Sequence, residues 1–146
     1  MPISALAQLL KFRVIGPVLF HLRLGPVETV LEITAADSSY GQLTVRTANG
    51  TVLRVTRDRA RWPKPRLQRR PGPGSGPSSF DAPAMVTVRG FKAVVGERMW
   101  AEDTSGSSLG QGATWTTSEV QEIELRRTHC PACDRALLRG RCWQAH

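Results

Sequence analysis

The Asn49-Gly50 pair constrains this chain more than any other feature. It lies between two short runs in which apolar and polar residues alternate: Leu43 and Val45 with Thr44 and Arg46 on one side, Leu53 and Val55 with Arg54 on the other. Asn-Gly supplies the left-handed backbone of a tight hairpin, and alternation with period two turns one face of each strand inward. The expectation is an antiparallel pair, with strands over residues 42–47 and 52–56.

The same pattern places strands at residues 29–35, 85–95 and 98–102. In residues 116–127 the pair Val120 and Ile123 suits a helix, whereas Ile123 with Leu125 suits a strand. The company of other strands favours the strand. Residues 14–24 mix β-branched and large apolar side chains but are broken by Gly16-Pro17, which belongs at a bulge, an edge or a strand start. Residues 4–12 suit a short helix capped by Ser4, or a leading segment that packs on a sheet. Residues 103–112 form a polar turn region. Residues 62–83 differ from all of these. They hold six of the ten prolines, with Gly72, Gly74, Gly76 and three serines. Such a composition buries little apolar surface and predicts a flexible loop, basic at its start and spanning 59–83. The tally is five or six strands, mainly β, in a single small barrel over residues 1–127 interrupted by that loop, followed by a tail over 128–146. A chain of 146 residues suits one such domain.

Charge is unevenly placed. Of the net +8, residues 54–70 carry +7, with Arg54, Arg57, Arg59, Arg61, Lys64, Arg66, Arg69 and Arg70 against Asp58. Residues 71–125 are net −4, and residues 126–146 are net +4. Seventeen of the 20 basic residues are Arg, whose planar fork matches phosphate and stacks on bases. A solvated basic loop is the plain alternative. A run this dense is also what phosphate neutralisation uses, which favours a polyanionic partner. No apolar run approaches the roughly 20 residues that span a bilayer. Residues 1–10 show no basic-then-apolar leader pattern, so an intracellular setting is expected, the nucleus ahead of the cytoplasm.

All three cysteines fall in residues 130–142. Cys130 and Cys133 form a C-x2-C turn; Cys142 follows after eight residues and His146 after three more. Zn²⁺ takes four tetrahedral N/S ligands, and a C-x2-C turn offers two thiolates to one ion. Pro131 stiffens the first turn and Gly140 frees the second. Four protein ligands leave no open position, so the expected role is structural. His129 is the alternative fourth ligand. Three free thiols, or a redox C-x-x-C, are the competing readings; the latter belongs beside a βαβ pattern, which this chain lacks.

The tail resembles the small zinc motif of replication protein A relatives, in which a C-P-x-C knuckle precedes a leucine, a G-R-C and a histidine. Residues 86–106 (VTVRGFKAVVGERMWAEDTSG) are similar to their oligonucleotide-binding (OB) folds, where a V-x-V-x-G strand leads to an E-D-x-(T/S)-G turn. The likeness covers about 60 residues of the second half. It implies an OB-like barrel that binds single-stranded DNA.

Non-specific single-strand binders pair a positive groove with aromatic faces for base stacking. The candidates here are Arg59, Arg61, Lys64, Arg66, Arg69 and Arg70, with Trp62 as the stacking aromatic inside the basic run. Phe91 and Trp100 are further candidates on the barrel, although strand aromatics are more often core. No catalytic constellation stands out: His21, His129 and His146 have no Ser or Cys nucleophile at a meaningful spacing, and no phosphate-cradling Gly loop precedes a helix. The first expectation is a non-enzymatic single-stranded nucleic-acid binder, DNA favoured, within a larger replication, repair or telomere-type assembly. The second is a protein-interaction adaptor with a purely structural zinc knuckle. The third is an accessory subunit of an enzyme.

Overall fold

The computed structural model describes residues 24–78, 80–103 and 114–143. The expectations for residues 4–12, for 14–23, for the turn after Asp103 and for His146 lie outside those residues.

Eight strands form: β1 (Glu28–Val30), β2 (Glu32–Thr34), β3 (Tyr40–Thr47), β4 (Val52–Asp58), β5 (Trp62–Arg70), β6 (Val86–Val94), β7 (Arg98–Asp103) and β8 (Thr114–Arg127). Strands β3 to β8 run antiparallel, each beside the next, and β8 pairs back onto β3. The result is a closed six-stranded barrel, with no helix among the described residues. Residues 116–127 are therefore strand, as expected. Closure leaves no free sheet edge around the ring. The inward set is apolar: Leu43 and Val45 on β3, Leu53 and Val55 on β4, Leu67 on β5, and Ile123 and Leu125 on β8, all essentially without exposure.

The Asn49-Gly50 hairpin forms with a three-residue loop. Gly50 N–H donates to Thr47 O, and Thr47 N–H to Thr51 O. Gly50 adopts φ +82°, while Asn49 keeps negative φ and accepts the Thr51 N–H on its side chain. This is a type I turn closed by a glycine bulge.

The expected strand over 29–35 is broken at Leu31. Its first part, β1, lies on β8 opposite 123–125; its second, β2, lies on β6 opposite 92–94. The chain thus passes from one wall to another across the β6–β7 turn, and Val95 N–H donates to Leu31 O.

The expected flexible loop over 59–83 is corrected. Trp62–Arg70 is strand β5, paired with β4 from Asp58↔Trp62 to Val52↔Arg70. Pro63 and Pro65 are tolerated because β6 joins β5 only at Arg66 and Leu67, leaving the proline stretch with one partner strand. The segment after β5 is also held to the barrel, at Gly72 and at Phe80 to Ala82. Gly72 lies so close to the β3–β4 loop that a Cβ there would meet Asn49 O at 2.1 Å. Its N–H donates to Thr51 Oγ1. Arg69 turns inward and pairs with Asp81 at 2.7 Å. Phe80 is 3% exposed and stacks on Trp115, with ring centroids 4.9 Å apart. Composition argued against burial here, but one Phe, one ion pair and one close glycine suffice to hold the segment down.

Candidate metal centre and basic face

Strand β8 ends at Arg127 and leads directly into the cysteine tail, which folds as two tight turns. In the first, Cys130 N–H donates to Arg135 O, and Asp134 N–H to Cys130 O. Asp134 sits at φ 62°, a conformation that Asp tolerates better than most residues. The second turn is a two-residue hairpin in which Leu138 and Arg141 exchange backbone hydrogen bonds. Arg139 (φ 50°) and Gly140 (φ 75°) both take the left-handed conformation that such a turn requires. Gly140 has a second reason to lack a side chain: a Cβ would meet Leu24 O at 2.8 Å.

These turns bring Cys130, Cys133 and Cys142 together, with their sulfurs all within 4.8 Å of one another. Cys133 Sγ and Cys142 Sγ are 3.7 Å apart. Tetrahedral Zn²⁺ with bonds of about 2.3 Å would set sulfurs about 3.8 Å apart, so the donor set fits the ion. The backbone N–H groups of Cys133 and Ala132 point at the Cys130 sulfur and pull its pKa down to about 6, against desolvation, with help from the other two thiols. A thiolate is the form that binds metal. Among the described residues no histidine joins this group. His129 Nδ1 lies 2.9 Å from Thr128 Oγ1. Leu137 is buried beside Gly25, whereas Leu138 is exposed. Trp143 is exposed, with the Arg135 guanidinium 4.9 Å over its ring.

The tail is pinned to the barrel. Thr128 and His129 N–H both donate to Ser39 O, and Leu137 N–H donates back to Thr128 O. Arg59, at the tip of the β4–β5 hairpin, grips Asp134 with two nitrogens, at 2.6 and 3.2 Å, and bonds Ser38 O as well. The Arg59 hydrogen bond holds the Asp134 carboxyl below its ordinary pKa. Arg59, a candidate for phosphate contact from sequence, is thus a strut between the hairpin tip and the cysteine turns. Nothing in the sequence signals this, because its partner lies 75 residues away.

The rest of the basic run divides by the pleat. On β5, Pro65, Leu67 and Arg69 face inward and Lys64, Arg66 and Arg70 outward. Across the ladder, Arg54 stands opposite Gln68, and Thr56 opposite Arg66. The outer side of β4 and β5 therefore carries Arg54, Lys64, Arg66 and Arg70, with Arg61 at the hairpin turn. Among the described residues none of these five pairs with a carboxylate, whereas Arg46, Arg59, Arg69, Arg89, Lys92 and Arg127 all do. On the far side of β3, strand β8 presents Glu122 and Glu124, whose proximity raises the Glu122 pKa. The β4–β5 wall is basic, whereas on the β3–β8 wall Arg46 and Arg126 offset the two glutamates, Arg46 as the ion-pair partner of Glu122.

The aromatic candidates fare differently. Trp62 lies beside the basic row, with Arg61 and Arg66 guanidinium carbons 4.4 and 4.6 Å from its ring centroid. Phe91 is a core residue, 1% exposed and edge-on to Tyr40, so it offers no face to a ligand. Trp100, on β7, is 39% exposed and covers Gly90 of β6, and β6 separates it from β5. Arg69, buried with Asp81, likewise leaves the candidate surface. Arg54, in contrast, joins it, and its outward position was readable from the alternation around Leu53 and Val55.

No family model matches the chain, and neither does any curated protein or any solved structure.

Proposed function

We propose that this protein is a non-enzymatic binder of single-stranded nucleic acid. The outer face of β4 and β5 tracks the phosphate backbone, and the three cysteines, with a fourth ligand, hold a structural zinc ion that fixes the tail. The carrying observation is the row Arg54, Lys64, Arg66 and Arg70 with Arg61, five cations on one face without carboxylate partners among the described residues. Surfaces commonly intersperse the two signs, and a single-sign row without carboxylate partners suits a polyanion. The zinc would bring no open coordination position and no reaction of its own; it would close the two turns, the first of which Arg59 ties to the hairpin. An OB-like function on this barrel, in a genome-maintenance assembly, is the form of this proposal that the sequence resemblance favours. Titration of the zinc-loaded protein with single-stranded DNA and RNA of equal length tests it. Binding that weakens steeply with salt is expected.

One observation favours a second reading. The aromatic closest to the basic row in sequence, Trp62, already has two guanidiniums over its ring. A face of cations without a bare aromatic also suits an acidic protein surface, as in the adaptor reading. Absence of binding to either nucleic acid near physiological salt selects that reading.

A further inference from the structure

Sequence alone offers Trp62 as a platform for a base. Its surroundings assign it other work. Arg61 precedes it in the hairpin turn and Arg66 follows one strand segment later, yet both guanidinium carbons come within cation–π range of the same ring, at 4.4 and 4.6 Å. The ring itself is fixed. Pro63 and Pro65 restrict the backbone beyond it, and its indole N–H is buried with no hydrogen-bond acceptor among the described residues. The buried indole edge and the two cations hold it in place.

A guanidinium over an aromatic ring uses its face on the ring. Its N–H donors lie in the guanidinium plane and remain available to an oxyanion. Neither Arg61 nor Arg66 pairs with a carboxylate among the described residues. Both guanidinium carbons lie within 4.6 Å of one ring centroid, so at most about 9 Å separates them; like charges in that range repel, and a polyanion reaching both free edges relieves the repulsion. Lys64 projects outward between Trp62 and Arg66, extending the positive edge.

We propose that Arg61 and Arg66, held on Trp62, form a two-guanidinium clamp for adjacent phosphate groups, with Trp62 as the positioning residue of the clamp and not a base platform. The clamp deepens the nucleic-acid reading above and rests on it for the identity of the phosphate donor.

The two roles of Trp62 separate in the salt dependence. Each phosphate contact on a single strand contributes about 0.7 to the slope of log affinity against log salt, whereas a stacked base contributes affinity without slope. With oligo-dT as probe, Arg61→Gln and Arg66→Gln should each reduce the slope by about 0.7. Trp62→Leu should reduce it by as much as both together, and Trp62→Phe should restore most of it. A Trp62→Leu variant that stays folded by circular dichroism and keeps the wild-type slope, with or without a loss of affinity, overturns the clamp. If wild-type protein does not bind oligo-dT, the nucleic-acid reading falls, and inorganic tripolyphosphate decides the clamp alone. Its addition should shift the ¹⁵N-edited Nε–H signals of Arg61 and Arg66 but not that of buried Arg69, and Trp62→Leu should abolish the shifts. Stationary Arg61 and Arg66 signals in the wild type overturn the clamp.

Discussion

Phe80 is the anchor that turns a proline- and glycine-rich stretch into part of the barrel, and Phe80→Ala measures how firmly. The ring is 3% exposed and lies at 24° to Trp115, 4.9 Å between centroids, with the barrel core behind it. Removing a buried Phe ring costs about 3–5 kcal/mol. The neighbours Ser78 and Asp81 are partly exposed, so the site can collapse, which places the expected loss near about 3 kcal/mol. Phe80→Leu keeps most of the volume and loses the ring stack; about 1–1.5 kcal/mol is expected. Equilibrium urea unfolding, followed by tryptophan fluorescence, gives both values, and Trp115 reports the site directly. A broad-specificity protease should cut residues 71–78 quickly in Phe80→Ala and slowly in the wild type. A loss below about 1 kcal/mol, with wild-type protein already cut there first, would show that the segment is not docked and that its burial was misread.

Other outcomes follow from the same geometry. Gly72→Ala forces a Cβ against Asn49 O, a backbone atom that cannot step aside, and should cost about 1–3 kcal/mol in the same unfolding assay. Purified reduced protein should carry about one zinc per chain by elemental analysis, and Cys133→Ser should lose it while the barrel amide signals persist. Burial pushes the Asp81 carboxyl up, but the Ser78 N–H and Arg69 outweigh it and hold the pKa below the ordinary value. A depressed folded pKa gives stability that is present above the unfolded value of about 3.9 and is lost as pH falls through the folded one. Urea midpoints measured from about pH 5 down to about pH 2 should therefore fall less steeply in Asp81→Asn than in the wild type.

The barrel was legible wherever the pleat wrote itself in apolar residues. Leu43/Val45 and Leu53/Val55 mark β3 and β4, and Val86 to Val94 and Arg98 to Asp103 lie where the pattern put them. Strand β5 follows the same period, but its inward positions are Pro65, Leu67 and Arg69, and only Leu67 looks like core. An inward Arg becomes acceptable only through Asp81, twelve residues on, which no local pattern reveals. The cysteine turns were legible because metal-ligand spacing is local: three sulfurs meet as the spacing demands. The roles of the basic residues were not. Eight positive side chains within residues 54–70 look equivalent in sequence, yet Arg57 and Arg59 brace backbone carbonyls, Arg69 is buried, and the five others remain outside. That division depends on the pleat and on partners such as Asp134, brought near only by barrel closure.

The central claim is that the outer face of β4 and β5 meets the phosphate backbone, and amide chemical-shift mapping tests it most directly. Zinc-loaded, ¹⁵N-labelled protein would be titrated with a short oligo-dT. The expected shifts centre on Arg54, Arg61, Lys64, Arg66 and Arg70 and fade toward the outer face of β8 around Glu122 and Glu124. Shifts that centre on β8 or on Trp100 of β7, or no shifts at all near physiological salt, would contradict it.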